Sequence, residues 1–236
     1  MATHRIRLNN EEIPYLLLRS PRRRSIGLKV GPTGLTVSVP ARLPQHEWEA
    51  VLHQKSDWVR DKLEHMRAHA VPDFCWQHGE FIPFLGRSLE LVVETGGPRT
   101  QAVRCDSLLR VGLADPGDSA TLKNRVMHWY RSEALAFFQD RVQLLARQLD
   151  VSVSRLSLTS ARTRWGSCSS SGAIRLNWRL IKAPPAVIDY VVVHELAHLI
   201  ELNHSSAFWQ IVTQACPDFR EQKIFLKKHG AGYHQF

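Results

Sequence analysis

Apolar positions in the first half of the chain come in short runs. Ile13 to Leu18, Ile26 to Val30 and Leu35 to Val39 are rich in strand formers, separated by Arg/Pro sequence and by the turn signal Gly31-Pro32-Thr33-Gly34. The spacing then lengthens: Trp48, Val51, Leu52, Trp58, Val59 and Leu63 fall near a helical period and predict one helix over 44–67. Strand-like sequence returns at Glu80 to Leu85, Ser88 to Glu94 and Ala102 to Val111. Gly86-Arg87 reads as a tight hairpin turn and Gly96-Gly97-Pro98 as a loop.

The pattern changes again near Asp115-Pro116-Gly117-Asp118. Beyond it Leu122, Val126, Trp129, Tyr130, Phe137, Leu144 and Leu145 form the apolar stripe of a long amphipathic helix. Leu156 to Ser160 and Ala173 to Leu180 read as strands around a Gly/Ser-rich turn. Pro184-Pro185 opens a second helix, because proline suits a first helical turn. A shorter helix is expected from Ser205 or Ser206, either a good N-cap, through Phe208, Trp209, Ile211 and Val212. No internal repeat, low-complexity tract or phosphate loop is visible. The expected class is α+β, with a β-rich part over 1–115 and, over 116–236, helices packed on a small mixed sheet; the two parts are either separate or one unit.

Composition narrows the function classes. Apolar residues make up 44% and charged residues 22% of 236, which fits a globular rather than a disordered chain. The four cysteines (Cys75, Cys105, Cys168 and Cys216) form no CxxC pair, which argues against a zinc ribbon, and the chain is too long and too poor in cysteine for a disulfide scaffold. The N-terminal sequence lacks an apolar signal core, and no apolar run approaches the roughly 20 residues of a membrane span. No membrane partner and a cytoplasmic, reducing location are therefore expected. The formal charge is +9, with clusters at Arg19, Arg22, Arg23, Arg24 and Lys29 and at Arg220, Lys223, Lys227 and Lys228. Such a surplus suits acidic partners and makes nucleic acid an expected one, or else it only aids solubility. Against nucleic acid, no binding motif is present and the aromatics fit core stripes.

The decisive segment is His194-Glu195-Leu196-Ala197-His198. Residues four apart share a helix face, so His194 and His198 present two imidazoles to one ion. Glu195, one position along, reaches a water at that ion without being a ligand. A catalytic zinc needs three protein ligands and one open position. His204 is the favoured third ligand, provided the helix stops first, and Asn203 supplies a residue that tolerates the left-handed conformation of a helix end. The rival is Glu221, on a helix downstream; Cys168 is a weaker one. Glu201 stands where the longer metzincin signature has glycine. With 12 histidines, a chance HExxH is expected in roughly a few chains per hundred, and His204 lowers that to about one in several hundred. The setting is apolar as well: Val191, Val192 and Val193 precede the motif and Leu199 and Ile200 follow it. Buried imidazoles without partners would cost several kcal/mol.

Arg162-Thr163-Arg164-Trp165-Gly166-Ser167-Cys168-Ser169, Ile174-Arg175-Leu176-Asn177-Trp178-Arg179-Leu180, His194 to His204 and Phe208-Trp209 closely resemble the YgjP-like metallopeptidases, also called predicted metal-dependent hydrolases. These are related to the SprT and WLM groups, which include proteases of DNA-crosslinked proteins. The likeness is specific over 162–209 and looser elsewhere, where it includes Arg22-Arg23-Arg24. It implies a minimal zincin-like fold and zinc on His194, His198 and His204; it names no substrate.

The expected reaction is peptide hydrolysis, with Glu195 as general base to a zinc-activated water. Trp165 and Asn177 are candidate substrate-binding residues, against a packed Trp beside a tight Gly turn and an Asn paired within a turn. Tyr233 and His234, in the C-terminal tail, are candidate oxyanion donors, and Ala173 to Leu180 is the candidate edge strand for an extended peptide. The competing classes are a zinc hydrolase of a non-peptide amide or ester, and a non-catalytic nucleic-acid-binding protein with a structural metal. Glu195 argues against the last, since a structural site has no use for it.

Overall fold

The computed structural model describes residues 3–31, 34–68, 74–96 and 101–236. Pro32, Thr33, Gly97 and Pro98, in the expected turn and loop, lie outside them. The chain forms two compact units, Met1–Pro72 and Asp73–Phe236.

The first unit is a mixed sheet with two helices. Its strands are β1 (Thr3–Leu8), β2 (Glu11–Ser20), β3 (Gly27–Gly31) and β4 (Gly34–Pro40), in the order β1-β2-β4-β3. β1 is an addition to the sequence reading. Its alternation buries Ile6 and Leu8 while Arg5 and Arg7 face solvent, so the arginines mask the apolar signal. The expected single helix is two, α1 (Gln45–Gln54) and α2 (Ser56–Ala68), broken at Lys55. The break leaves Trp58 exposed, whereas Trp48, Leu52 and Val59 are fully buried on the sheet. The Trp48 indole N–H donates to the Tyr15 hydroxyl at 3.2 Å.

The second unit begins with β5 (Phe81–Phe84), β6 (Arg87–Thr95), β7 (Val103–Cys105) and β8 (Leu108–Leu113), again ordered with the two inner strands parallel, β5-β6-β8-β7. The stretch expected as one strand at 102–111 is thus a hairpin, turning at Asp106 with φ 51°. The hairpin turn before β6 is Leu85-Gly86, not Gly86-Arg87, and both turn residues have positive φ. Its amides donate to the carbonyls of Ile181 (2.8 Å) and Lys182 (3.2 Å), which ties the sheet to the segment leading into the histidine helix.

Helix α3 (Ser119–Gln148), capped by the Asp118 carboxylate on the Thr121 amide, lies across that sheet. Its buried stripe runs through Phe138 and Val142 rather than Phe137 and Leu144; over 30 residues the 3.6-residue period drifts from the positions the sequence suggested. A three-stranded sheet follows, of β9 (Arg155–Thr159), β10 (Gly166–Cys168) and β11 (Ala173–Asn177), in the order β10-β11-β9. β11 ends at Asn177, where the side-chain oxygen accepts the Arg179 amide and opens a short 3-10 helix, Trp178–Lys182. Helices α4 (Pro185–Ala197), α5 (Ser206–Ala215) and α6 (Phe219–Tyr233) complete the unit.

α4 is apolar on nearly every side because α3, α5, α6 and the small sheet surround it. A bidentate pair, Arg141 Nε to Asp189 Oδ1 at 2.6 Å and Nη2 to Oδ2 at 2.8 Å, fastens it to α3. Among the described residues no helix is long and apolar enough to cross a membrane. The fold is α+β, as expected.

Candidate metal centre

α4 carries His194 in its last turn, and His198 caps its C-terminus. The helix stops there and not at Asn203. The amides of Ile200 and Glu201 both close on the Ala197 carbonyl, at 3.0 and 2.9 Å. Among the described non-glycine residues, positive φ belongs to Asn9, Asn10, Leu85, Asp106 and Asp150, so Asn203 ends nothing by a left-handed turn. Glu201 shapes the loop instead. Its carbonyl faces His198 Nδ1 at 3.2 Å, and its carboxylate accepts the Asn203 amide at 3.3 Å. Ser205 then caps α5 by accepting the Phe208 amide at 3.3 Å. His204 is thereby brought back to α4.

The result is one group of three side chains. Nitrogens of His194, His198 and His204 all lie within 4.8 Å of one another. The Nε2 atoms of His194 and His204 are 3.1 Å apart, close to the roughly 3.3 Å edge of a tetrahedron with metal–nitrogen bonds near 2.05 Å. A donated Nδ1 proton on the Glu201 carbonyl leaves the His198 Nε2 lone pair free for an ion. Burial first, then His198, His204 and Lys223, lowers the His194 pKa to about 4, so the ring is neutral at ordinary pH, the form that can bind a metal. An all-imidazole donor set that leaves one side open fits zinc. Neither Glu221 nor Cys168 belongs to the group. The Cys168 thiol, raised by burial and by Glu195, stays protonated and directs its hydrogen to the Ser169 carbonyl at 3.5 Å.

Phe208, expected only in a helix stripe, and Gly166, expected in a tight turn, complete the setting. Phe208, fully buried, packs its ring 5.0, 4.6 and 4.8 Å from those of His194, His198 and His204. Gly166 lies against Glu195: a Cβ there would sit 2.6 Å from its Cγ and 2.7 Å from its Cδ. Gly166 is therefore needed for close approach in a strand, not for a tight turn. The positive-φ glycine of that hairpin is Gly172. Glu195 is 6% exposed; burial raises its pKa to about 7, with Arg164 pulling the other way.

The remaining candidates each pack against neighbouring groups. Asn177 is fully buried, and its amide nitrogen donates to the carbonyls of Ala161 (2.6 Å) and Arg164 (3.4 Å), so it is paired within its turn. Trp165 stacks on His234 at 4.6 Å and meets Tyr233 edge-on at 6.2 Å. Tyr233 is the last residue of α6 rather than part of a loose tail, and Lys182 donates to its carbonyl at 3.0 Å. β11 is the central strand of its sheet, with both sides paired, so it is no edge; β10 is an edge.

A model of the YgjP-like metallopeptidase domain matches residues 24–229. Among curated proteins none matches. Two solved structures align with 38% of the chain. One is the metallopeptidase zymogen of Pyrococcus abyssi abylysin (23% identity, TM-score 0.35, 92% of that chain). The other is the metallopeptidase zymogen of Methanocaldococcus jannaschii jannalysin (22%, 0.32, 94%).

Proposed function

The chain belongs to the YgjP-like metallopeptidase family, and from that premise we propose that it hydrolyses peptide bonds at a zinc ion held by His194, His198 and His204, with Glu195 as general base. The observation that supports this most is the convergence of the three imidazoles beside a buried carboxylate. Bound zinc would polarise the scissile carbonyl and make water acidic enough to ionise near neutral pH. The chain's own groups do the rest. Glu195, ionised, takes the proton of the attacking water on a carboxylate oxygen and passes it to the leaving amine. Gly166 leaves room for that carboxylate, and the adjacent Trp165 packs edge-on to Tyr233 of α6 and on His234. Phe208 closes the inner side of the three rings to water. An extended peptide is expected to pair along the open side of β10.

The nucleic-acid association expected from the charge has little further support. Arg19, one of its cations, is engaged within the first unit, donating to the carbonyls of Ala41 and Leu43 and lying 4.7 Å over the Trp48 ring.

The test is digestion of a peptide library by the zinc-loaded protein. Wild type is expected to cleave, and Glu195→Gln to keep its zinc while turnover falls about 10²–10⁴-fold. A variant that turns over near the wild-type rate would rule out Glu195 as the base.

A further inference from the structure

A groove of about 880 Å³ runs between α5 and α6, with Trp209, Phe219 and Ile224 as its apolar wall and Arg220 and Lys223 on its rim. Trp209 is common to the groove and the metal centre. Its ring is stacked on that of His204 at 5.9 Å and lies 6.0 Å from that of His194. It also stacks on Phe219 at 5.3 Å, inside the groove. Lys223 Nζ sits 4.7 Å over the Trp209 ring. Arg220 lies 5.7 Å over Phe219. No carboxylate lines the groove, and among the described residues neither cation has an acidic partner. Ile224 is 67% exposed on the same face. Apolar surface beside two cations that lack an acidic partner, joined to the histidines through Trp209, describes a half-built recognition site.

We propose that this groove is a substrate subsite that takes an apolar side chain flanked by a carboxylate, and so selects acidic-apolar peptide segments. The inference rests on the peptidase reading for its occupant. The apolar side chain lies on Trp209 and Ile224, and the neighbouring carboxylate pairs with Lys223 and Arg220. Continuity with the metal centre through Trp209 favours a peptide over a nucleic acid, whose phosphates would need a longer basic track.

The test is binding, independent of cleavage. Two labelled peptides of equal length share one phenylalanine; one carries two flanking glutamates and the other two lysines. Their affinities for the zinc-loaded protein are measured by fluorescence anisotropy at low salt. The acidic peptide is expected to bind roughly fivefold tighter, the scale of two exposed charge pairs. Lys223→Arg should keep that preference, and Lys223→Glu should abolish or reverse it without loss of zinc. Equal binding of the two peptides, a preference untouched by Lys223→Glu, or tighter Lys223-dependent binding of a thymidine oligonucleotide would each overturn the assignment. Failure of the peptide-library digest would count against the peptidase reading alone, since the binding comparison needs no turnover.

Discussion

His194 and Glu195 are neighbours on α4, and the same burial moves their proton affinities in opposite directions. The carboxyl is raised to about 7 and the imidazole lowered to about 4. Both shifts keep a buried group neutral, and both feed into stability. In the metal-free protein the raised Glu195 contributes stability that is full below its ordinary value of 4.5 and is lost as pH rises through about 7. The depressed His194 contributes stability that is full above 6.5 and is lost as pH falls through about 4. Glu195→Gln removes the first titration and leaves the second. Metal-free Glu195→Gln should therefore gain stability relative to metal-free wild type on going from about pH 5 to about pH 8, as read by urea unfolding in the presence of a chelator. A difference between the two proteins that does not change with pH would contradict the burial account of Glu195. The two α4 histidines and the glutamate were legible from spacing alone. Gly166 was not, because its value lies in what approaches it from a different element.

At the scale of elements, the site depends on where α4 stops and on what stands behind the rings. The stop comes at His198, and the loop that follows is shaped by Glu201 and the Ser205 cap. The sequence offers Ser205 or Ser206 as the cap, of which Ser205 is the one used, and attributes the stop to Asn203. A helix end is decided by which carbonyls find partners, and Ala197 finds two. α5 contributes Phe208 as a common floor to the three imidazoles. Phe208→Leu retains an apolar floor but loses the ring contacts, edge-on to His194 and His204 and tilted to His198, that orient the imidazoles. It should weaken zinc affinity on the order of tenfold, the scale of outer-sphere changes at such sites, with the fold retained. Competition with a chromophoric chelator measures this; unchanged affinity would mean the rings are held by other contacts. Strand pairing was the least legible feature. Ala173 to Leu180 looked like an edge strand, yet β11 is central and the chain turns into a 3-10 helix after Asn177, because pairing partners lie far away in sequence.

At the scale of the whole molecule, the two four-stranded sheets share one topology, two hairpins side by side with their inner strands parallel. The sequence shows no repeat, because each sheet carries its own apolar residues. The first packs Trp48 and Leu52 of a broken helix, and the second packs the long α3. The α+β class and most of the helices could be read from periodicity; the shared topology could not. The proposed chemistry requires that this chain of 236 residues hold a single zinc on His194, His198 and His204. Anomalous diffraction at the zinc absorption edge, from crystals grown with zinc, tests it most directly. The expected result is one peak per chain, about 2.0–2.1 Å from nitrogens of His194, His198 and His204, with Glu195 outside bonding distance. A peak coordinated by Glu221 or Cys168 in place of His204, or no peak at the three histidines, would contradict it.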